Sequence, residues 1–218
     1  MAEQQLEIEV PGSHAITAIR TAPEGRSAGW TLIYAPGAGS NVHDPFGAYA
    51  CRALAARGFE SVRFQFPYME TKRRSPDRTP VLEATWRAVL ESLGGRRRSL
   101  VGGRSMGGRI GSHVIAQGTP ADALVLFAYP LHPPGKPEQR RDAHLPHIEV
   151  PVLFCSGTRD AFATPEELAE AASTMSRASV HLLEAADHGF AAPKSSGRTR
   201  QQIWEEAVVA LLEWLREV

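Results

Sequence analysis

A chain of 218 residues, 43% of them hydrophobic, can bury one sizeable core, so residues 1–218 are expected to form a single domain. Twenty-four Lys and Arg balance 24 Asp and Glu, which leaves no net charge to draw nucleic acid or a membrane surface. No run nears the roughly 18 apolar residues of a spanning helix, Met1 to Gln5 lacks the marks of a secretion signal, and Cys51 and Cys155 read as buried apolar residues, so the expected compartment is the cytoplasm.

In chain order, Leu6 to Val10 and Ala15 to Arg20 alternate apolar with polar residues around Pro11-Gly12, the pattern of an antiparallel hairpin at a sheet edge. Continuous apolar runs follow at Trp30 to Ala35, Leu100 to Gly102, Ala123 to Phe127 and Val152 to Cys155, as expected of parallel strands buried on both faces. Ser61 to Phe66 keeps the strand period at Val62, Phe64 and Phe66, although Arg63 and Gln65 interrupt it. Helices are expected to start at Asp44-Pro45, Thr79-Pro80 and Thr164-Pro165, each a capping side chain before proline, with Glu167 completing a capping box on Thr164. Gly58, Gly94 and Gly118 mark helix ends. A last helix near Gln201 to Val218 carries an apolar face of Trp204, Val208, Leu211, Leu215 and Val218. Strands alternating with helices imply an α/β fold, a mostly parallel twisted sheet with helices on both faces, and place any site in the loops after the strands.

One such loop reads Gly103-Arg104-Ser105-Met106-Gly107, a G-x-S-x-G between a strand and a helix. The glycines permit a turn so tight that the Ser105 hydroxyl stands out above the sheet, and the Met106 amide faces the place where negative charge would develop on a substrate oxygen. A serine needs an imidazole to take its proton and a carboxylate to orient that imidazole, in the chain order Ser, acid, His. Asp160 follows the run ending near Ser156, and His188 follows the next strand-like run, Ser179 to Leu183. His181 lies inside that strand, and Asp187 is the second choice of acid, adjacent in sequence to the imidazole it would serve. The loop Pro36-Gly37-Ala38-Gly39-Ser40 is expected to supply a second oxyanion donor, the Ala38 amide, and Gly39 lets a substrate approach the backbone.

These motifs, with Phe64-Gln65-Phe66-Pro67-Tyr68, Tyr129-Pro130-Leu131-His132-Pro133-Pro134-Gly135-Lys136 and Gly157-Thr158-Arg159-Asp160, resemble the α/β-hydrolase superfamily. The resemblance is to its small, lid-poor members, the dienelactone-hydrolase-like group and bacterial relatives of NSL complex subunit 3. It implies an α/β-hydrolase fold without a cap domain and a serine hydrolase acting on a small-molecule ester or related acyl compound, with no cofactor and no metal. Dienelactone hydrolases carry cysteine where Ser105 stands, and many relatives carry histidine where Pro36 stands.

About twenty residues join the strand ending near Phe127 to the next, too few for a cap, so the pocket is expected to be open, rimmed by Pro67 to Arg78 and Leu131 to Pro146. Tyr68 and His132 are candidate substrate contacts on that rim, and Lys72, Arg73, Arg74 and Arg78 form a basic loop able to favour anionic acyl groups. Asp142, His144 and His147 are close in sequence but lack an evident fourth metal ligand. The competing readings are a hydrolase fold used as a protein-interaction module, and an acyltransferase or thioesterase using the same three side chains.

Overall fold

The computed structural model describes residues 2–23, 25–73, 75–94 and 97–218. The strands are β1 (Glu3–Ile8), β2 (Ile16–Thr21), β3 (Trp30–Ala35), β4 (Glu60–Phe64), β5 (Arg98–Arg104), β6 (Ala123–Phe127), β7 (Val152–Gly157) and β8 (Ala178–Leu183). The helices are α1 (Pro45–Ala55), α2 (Pro67–Glu70), α3 (Thr79–Leu93), α4 (Met106–Ala116), α5 (Pro165–Ser173) and α6 (Arg200–Trp214). One eight-stranded sheet has the order β1-β2-β4-β3-β5-β6-β7-β8. From β4 to β8 every neighbouring pair is parallel, while β2 runs antiparallel to both β1 and β4. This is the fold of the α/β hydrolases.

Period-two alternation sends successive strand residues to opposite faces. Ile33 and Ala35 of β3 thus join Val62, Trp86, Val101, Ile110, Leu126 and Leu168 in one core, beneath α3, α4 and α5. Leu32 and Tyr34 join Phe46, Leu54, Leu100, Phe127, Ile203 and Leu211 in the other, beneath α1 and α6. With both faces covered, the strands lose the alternation of polarity that the exposed hairpin keeps.

Several expected boundaries shift. β1 begins at Glu3 and ends at Ile8, because its register is set by pairing with β2, Glu3 opposite Thr21 and Ile8 opposite Ile16. Asp44 caps α1 by accepting the Gly47 amide (2.8 Å), and Thr164 and Glu167 form the capping box of α5. Thr79 caps nothing: the Arg78 carbonyl already accepts the amides of Val81 and Leu82, so the helix starts one residue early and Thr79 lies inside it. α6 ends at Trp214 and buries Ile203, Ala207, Val208, Leu211 and Trp214, while Trp204 packs half-buried against Phe46 and Tyr49. Among the described residues no helix is long and apolar enough to cross a membrane.

Candidate active site

β5 ends at Arg104 and α4 begins at Met106, so Ser105 alone makes the turn. Its backbone sits at φ 51°, ψ −120°, a conformation that a residue with a side chain keeps only when its surroundings impose it. The Ser105 amide donates to the Phe127 carbonyl at the end of β6 (2.8 Å), and Trp86 Nε1 donates to the Gly107 carbonyl (3.1 Å). The elbow closes directly on the end of β3. A Cβ on Gly103 would lie 2.6 Å from the Ala35 carbonyl oxygen and one on Gly107 2.2 Å from it, so both positions exclude any side chain.

The loops after β7 and β8 are stitched together. Thr158 N–H donates to Leu183 O (3.1 Å), Arg159 N–H to Ala186 O (2.9 Å), and Ala185 N–H to Thr158 Oγ1 (2.9 Å). Gly157 is required where they meet, since its Cβ would fall 2.0 Å from the Ala186 carbonyl oxygen. This seam aligns Asp160 with His188. The Asp160 side chain is wholly buried, and a buried carboxylate needs donors on every side. It receives the Phe162 amide on Oδ1 (2.9 Å) and faces His188 Nδ1 with Oδ1 at 3.0 Å and Oδ2 at 2.8 Å. His188 Nε2 lies 2.9 Å from Ser105 Oγ. An ionised carboxylate only accepts, so Nδ1 carries a hydrogen and Nε2 is left to accept the serine hydroxyl. The Phe162 ring stacks on the imidazole at 4.0 Å between centroids and 24° between planes. Such a relay can take a proton from an attacking alcohol and hold the resulting imidazolium beside a negative charge.

The register Ala35 opposite Gly103 sets Pro36-Gly37-Ala38 beside the elbow, and a Cβ on Gly37 would be 3.5 Å from the Ser105 Cβ. Neighbouring backbone groups in this loop are engaged: Gly39 N–H donates to Tyr68 Oη (3.0 Å) and Ser40 N–H to Gly37 O (3.1 Å). Among the described residues the Ala38 and Met106 amides are not paired with a backbone acceptor. Two residues that interrupt the apolar pattern around β4 secure the loop. Gln65 Oε1 accepts the Val42 amide (3.1 Å), and the buried Arg63 donates from Nε to the Val42 carbonyl (2.9 Å). Asp44, also buried, accepts Tyr34 Oη–H (2.8 Å) and lies 3.8 Å from Arg104 of the elbow, joining the two loops from behind. Burial, and after it the Asp44 charge, drives the Tyr34 phenol well above its ordinary range, so it stays a donor.

Other expected contacts find different places. Tyr68 is fully buried, and its hydroxyl holds the Gly39 amide; it shapes the loop from beneath. His132 is also buried, its ring between the Pro133 carbonyl and the Glu167 carboxylate. Gly39 is exposed beside Ala38 and lines a groove of about 580 Å³ with Asn41, Val42, His43, Gln65, Met69, Lys72 and Arg73. Within the basic loop Arg73 pairs with Asp77, Arg78 precedes α3, and Arg74 lies outside the described residues. Asp187 takes no part in the relay: its Oδ1 accepts the amides of Gly189 (2.8 Å) and Ala191 (2.9 Å), fixing the turn that carries His188. Asp142 pairs with Arg140 (2.7 Å), whereas His144 turns toward α4, 2.7 Å from Ser112 Oγ and edge-on to His113 at 4.2 Å.

That last cluster makes folding pH-dependent. Burial lowers the pKa of His144 to about 3, and burial also lowers that of His113. An imidazole with a depressed folded pKa is protonated first in the unfolded chain, so stability is lost as pH falls below the usual imidazole range toward about 3. The melting temperature is expected to drop by several degrees between pH 7 and pH 4.5, and less steeply in His144→Gln; parallel pH curves for the two would reject the assignment.

The chain matches the family model described as alpha/beta hydrolase domain over residues 28–216. Its fold is similar to an alpha-beta serine hydrolase homologue from Coxiella burnetii, with a TM-score of 0.78 and 21% identity, covering 97% of this chain and 98% of that one. A lidless α/β serine hydrolase from Xanthomonas campestris superposes with a TM-score of 0.75 at 20% identity, covering 98% and 95%. Est1E from Butyrivibrio proteoclasticus gives 0.75 at 12% identity, covering 97% and 99%. With the family match spanning all of the sheet beyond the hairpin together with the last helix, the chain belongs to the α/β-hydrolase family.

Proposed function

We propose that this protein is a serine hydrolase that cleaves a small-molecule carboxylic ester, or a related acyl bond, through an acyl-Ser105 intermediate. The single observation behind this reading is the continuous contact from Ser105 Oγ through His188 to Asp160, at 2.9 and 2.8 Å. Ser105 attacks the carbonyl carbon while His188 Nε2 takes its proton, and Asp160 stabilises the imidazolium. The carbonyl oxygen, now negative, is held by the amides of Ala38 and Met106, each such donor being worth about 3 kcal/mol in the transition state. His188 returns the proton to the departing alcohol, then removes one from a water that attacks the acyl carbon, and passes it to Ser105 Oγ as the acyl–Oγ bond breaks, which releases the carboxylic acid and restores the hydroxyl. No cofactor enters this scheme.

The backbone at Ser105, at φ 51° and ψ −120°, lies far in ψ from the left-handed well at about φ 57°, ψ 47° in which turns commonly place a residue, and that strain supports chemistry over a purely structural or partner-binding role. A fluorophosphonate probe tests the point. The native protein is expected to be labelled stoichiometrically and Ser105→Ala not at all. A folded native chain inert to the probe would instead favour the interaction-module reading.

A further inference from the structure

His132 is one of the few polar side chains buried in the structure, at 6% exposure, and it sits outside the relay. Nδ1 is 2.8 Å from the Pro133 carbonyl oxygen and Nε2 3.1 Å from Glu167 Oε2. A carbonyl and a carboxylate both only accept, so the ring donates from both nitrogens and is held as an imidazolium. Its own backbone amide donates to the Phe162 carbonyl (3.2 Å). Glu167 Oε2 also accepts the Thr164 amide (2.8 Å). The segment Asp160 to Thr164 is therefore gripped twice from the His132 side, at Phe162 and, through Glu167, at Thr164. This segment provides the acid, and also the Phe162 ring stacked on His188 and the Phe162 amide bonded to Asp160.

We infer that His132 is a positioning residue: as an imidazolium it ties the loop after β6 to the start of α5 and so fixes Asp160 and Phe162 against His188. The inference rests on the serine-hydrolase reading. The charged groups facing the ring are Glu167 on α5 and Arg140 on the loop after β6, and Arg140 is itself paired with Asp142 and lies 3.8 Å from Glu170. The Pro133 carbonyl, and to a lesser degree Glu167, raise the pKa of His132 against the opposing effects of burial and Arg140. A raised folded pKa means that the stabilisation is complete below the usual imidazole range and is lost as pH rises through the folded value. The relay should lose its alignment over that same alkaline interval.

The test is the rate constant of fluorophosphonate labelling at Ser105 as a function of pH, measured for the native protein, His132→Gln and Glu167→Gln, with the protonation of His132 followed by nitrogen NMR. The native rate is expected to fall on the alkaline side as His132 loses its second N–H. His132→Gln should label about tenfold more slowly at neutral pH and lose the alkaline fall. Glu167→Gln should move the alkaline fall to lower pH. An unchanged alkaline fall in folded His132→Gln, or a neutral His132 at pH 7, would overturn the inference while leaving the serine reading intact. A native protein that does not label at any pH overturns both.

Discussion

Asp160→Asn is expected to lower kcat/KM for an ester roughly 10⁴-fold without unfolding the chain. The geometry dictates which way the new amide points. Asp160 Oδ1 accepts the Phe162 amide, so the asparagine keeps its oxygen there and turns its NH₂ to the position of Oδ2, 2.8 Å from His188 Nδ1. Two donors cannot face each other. With that NH₂ as its nearer neighbour, the imidazole shifts toward the tautomer that carries its hydrogen on Nε2, against Ser105, where it can no longer accept the hydroxyl proton, and only the amide oxygen 3.0 Å from Nδ1 still favours the productive form. Circular dichroism should match the native protein, because the carboxylate and the amide fill nearly the same volume. Kinetics within tenfold of native would mean that Asp160 does not orient His188.

Gly107→Ala should cost both fold and activity. Its added methyl would meet two backbone oxygens, Ala35 O at 2.2 Å and Pro36 O at 2.5 Å, and neither can rotate away as a side chain would. Relief requires α4 to lift from the end of β3 or the oxyanion loop to retreat. Overpacking of this kind costs about 1–3 kcal/mol, with rigid backbone as the obstacle setting it at the upper end, which for a chain of this length lowers the melting temperature by roughly 10 °C. Any soluble fraction should label with fluorophosphonate at least about a hundredfold more slowly, since the proposed oxyanion donors, the Ala38 and Met106 amides, would be pushed apart. A variant with native stability and native labelling would show that the elbow and the loop do not need this close approach.

The site was legible where chain order and local rules suffice. Apolar runs betrayed the buried parallel strands, and the loops following them offered one serine between glycines, then one aspartate, then one histidine. Asp44 and Thr164 announced their helices because capping is decided within four residues. What the sequence concealed depends on distant partners. Arg63 and Gln65 look like flaws in a strand until Val42, far along the chain, is seen to supply the backbone groups they hold. Tyr68 and His132 read as substrate contacts on the rim, and nothing local says that their side chains turn inward instead, Tyr68 to Gly39 and His132 to Glu167. Phe162 carried no motif at all; its stacking on His188 follows from the bond between its amide and Asp160.

The relay itself is tested most directly by trapping the intermediate. An activated aryl ester mixed with the protein and quenched in acid within the first turnover should release close to one equivalent of phenol per chain. The acyl mass should then be found on the peptide Ser105–Arg109 in the native protein and vanish in His188→Ala. Steady release with no initial burst, and no acyl group on that peptide at any time of quenching, would contradict the account.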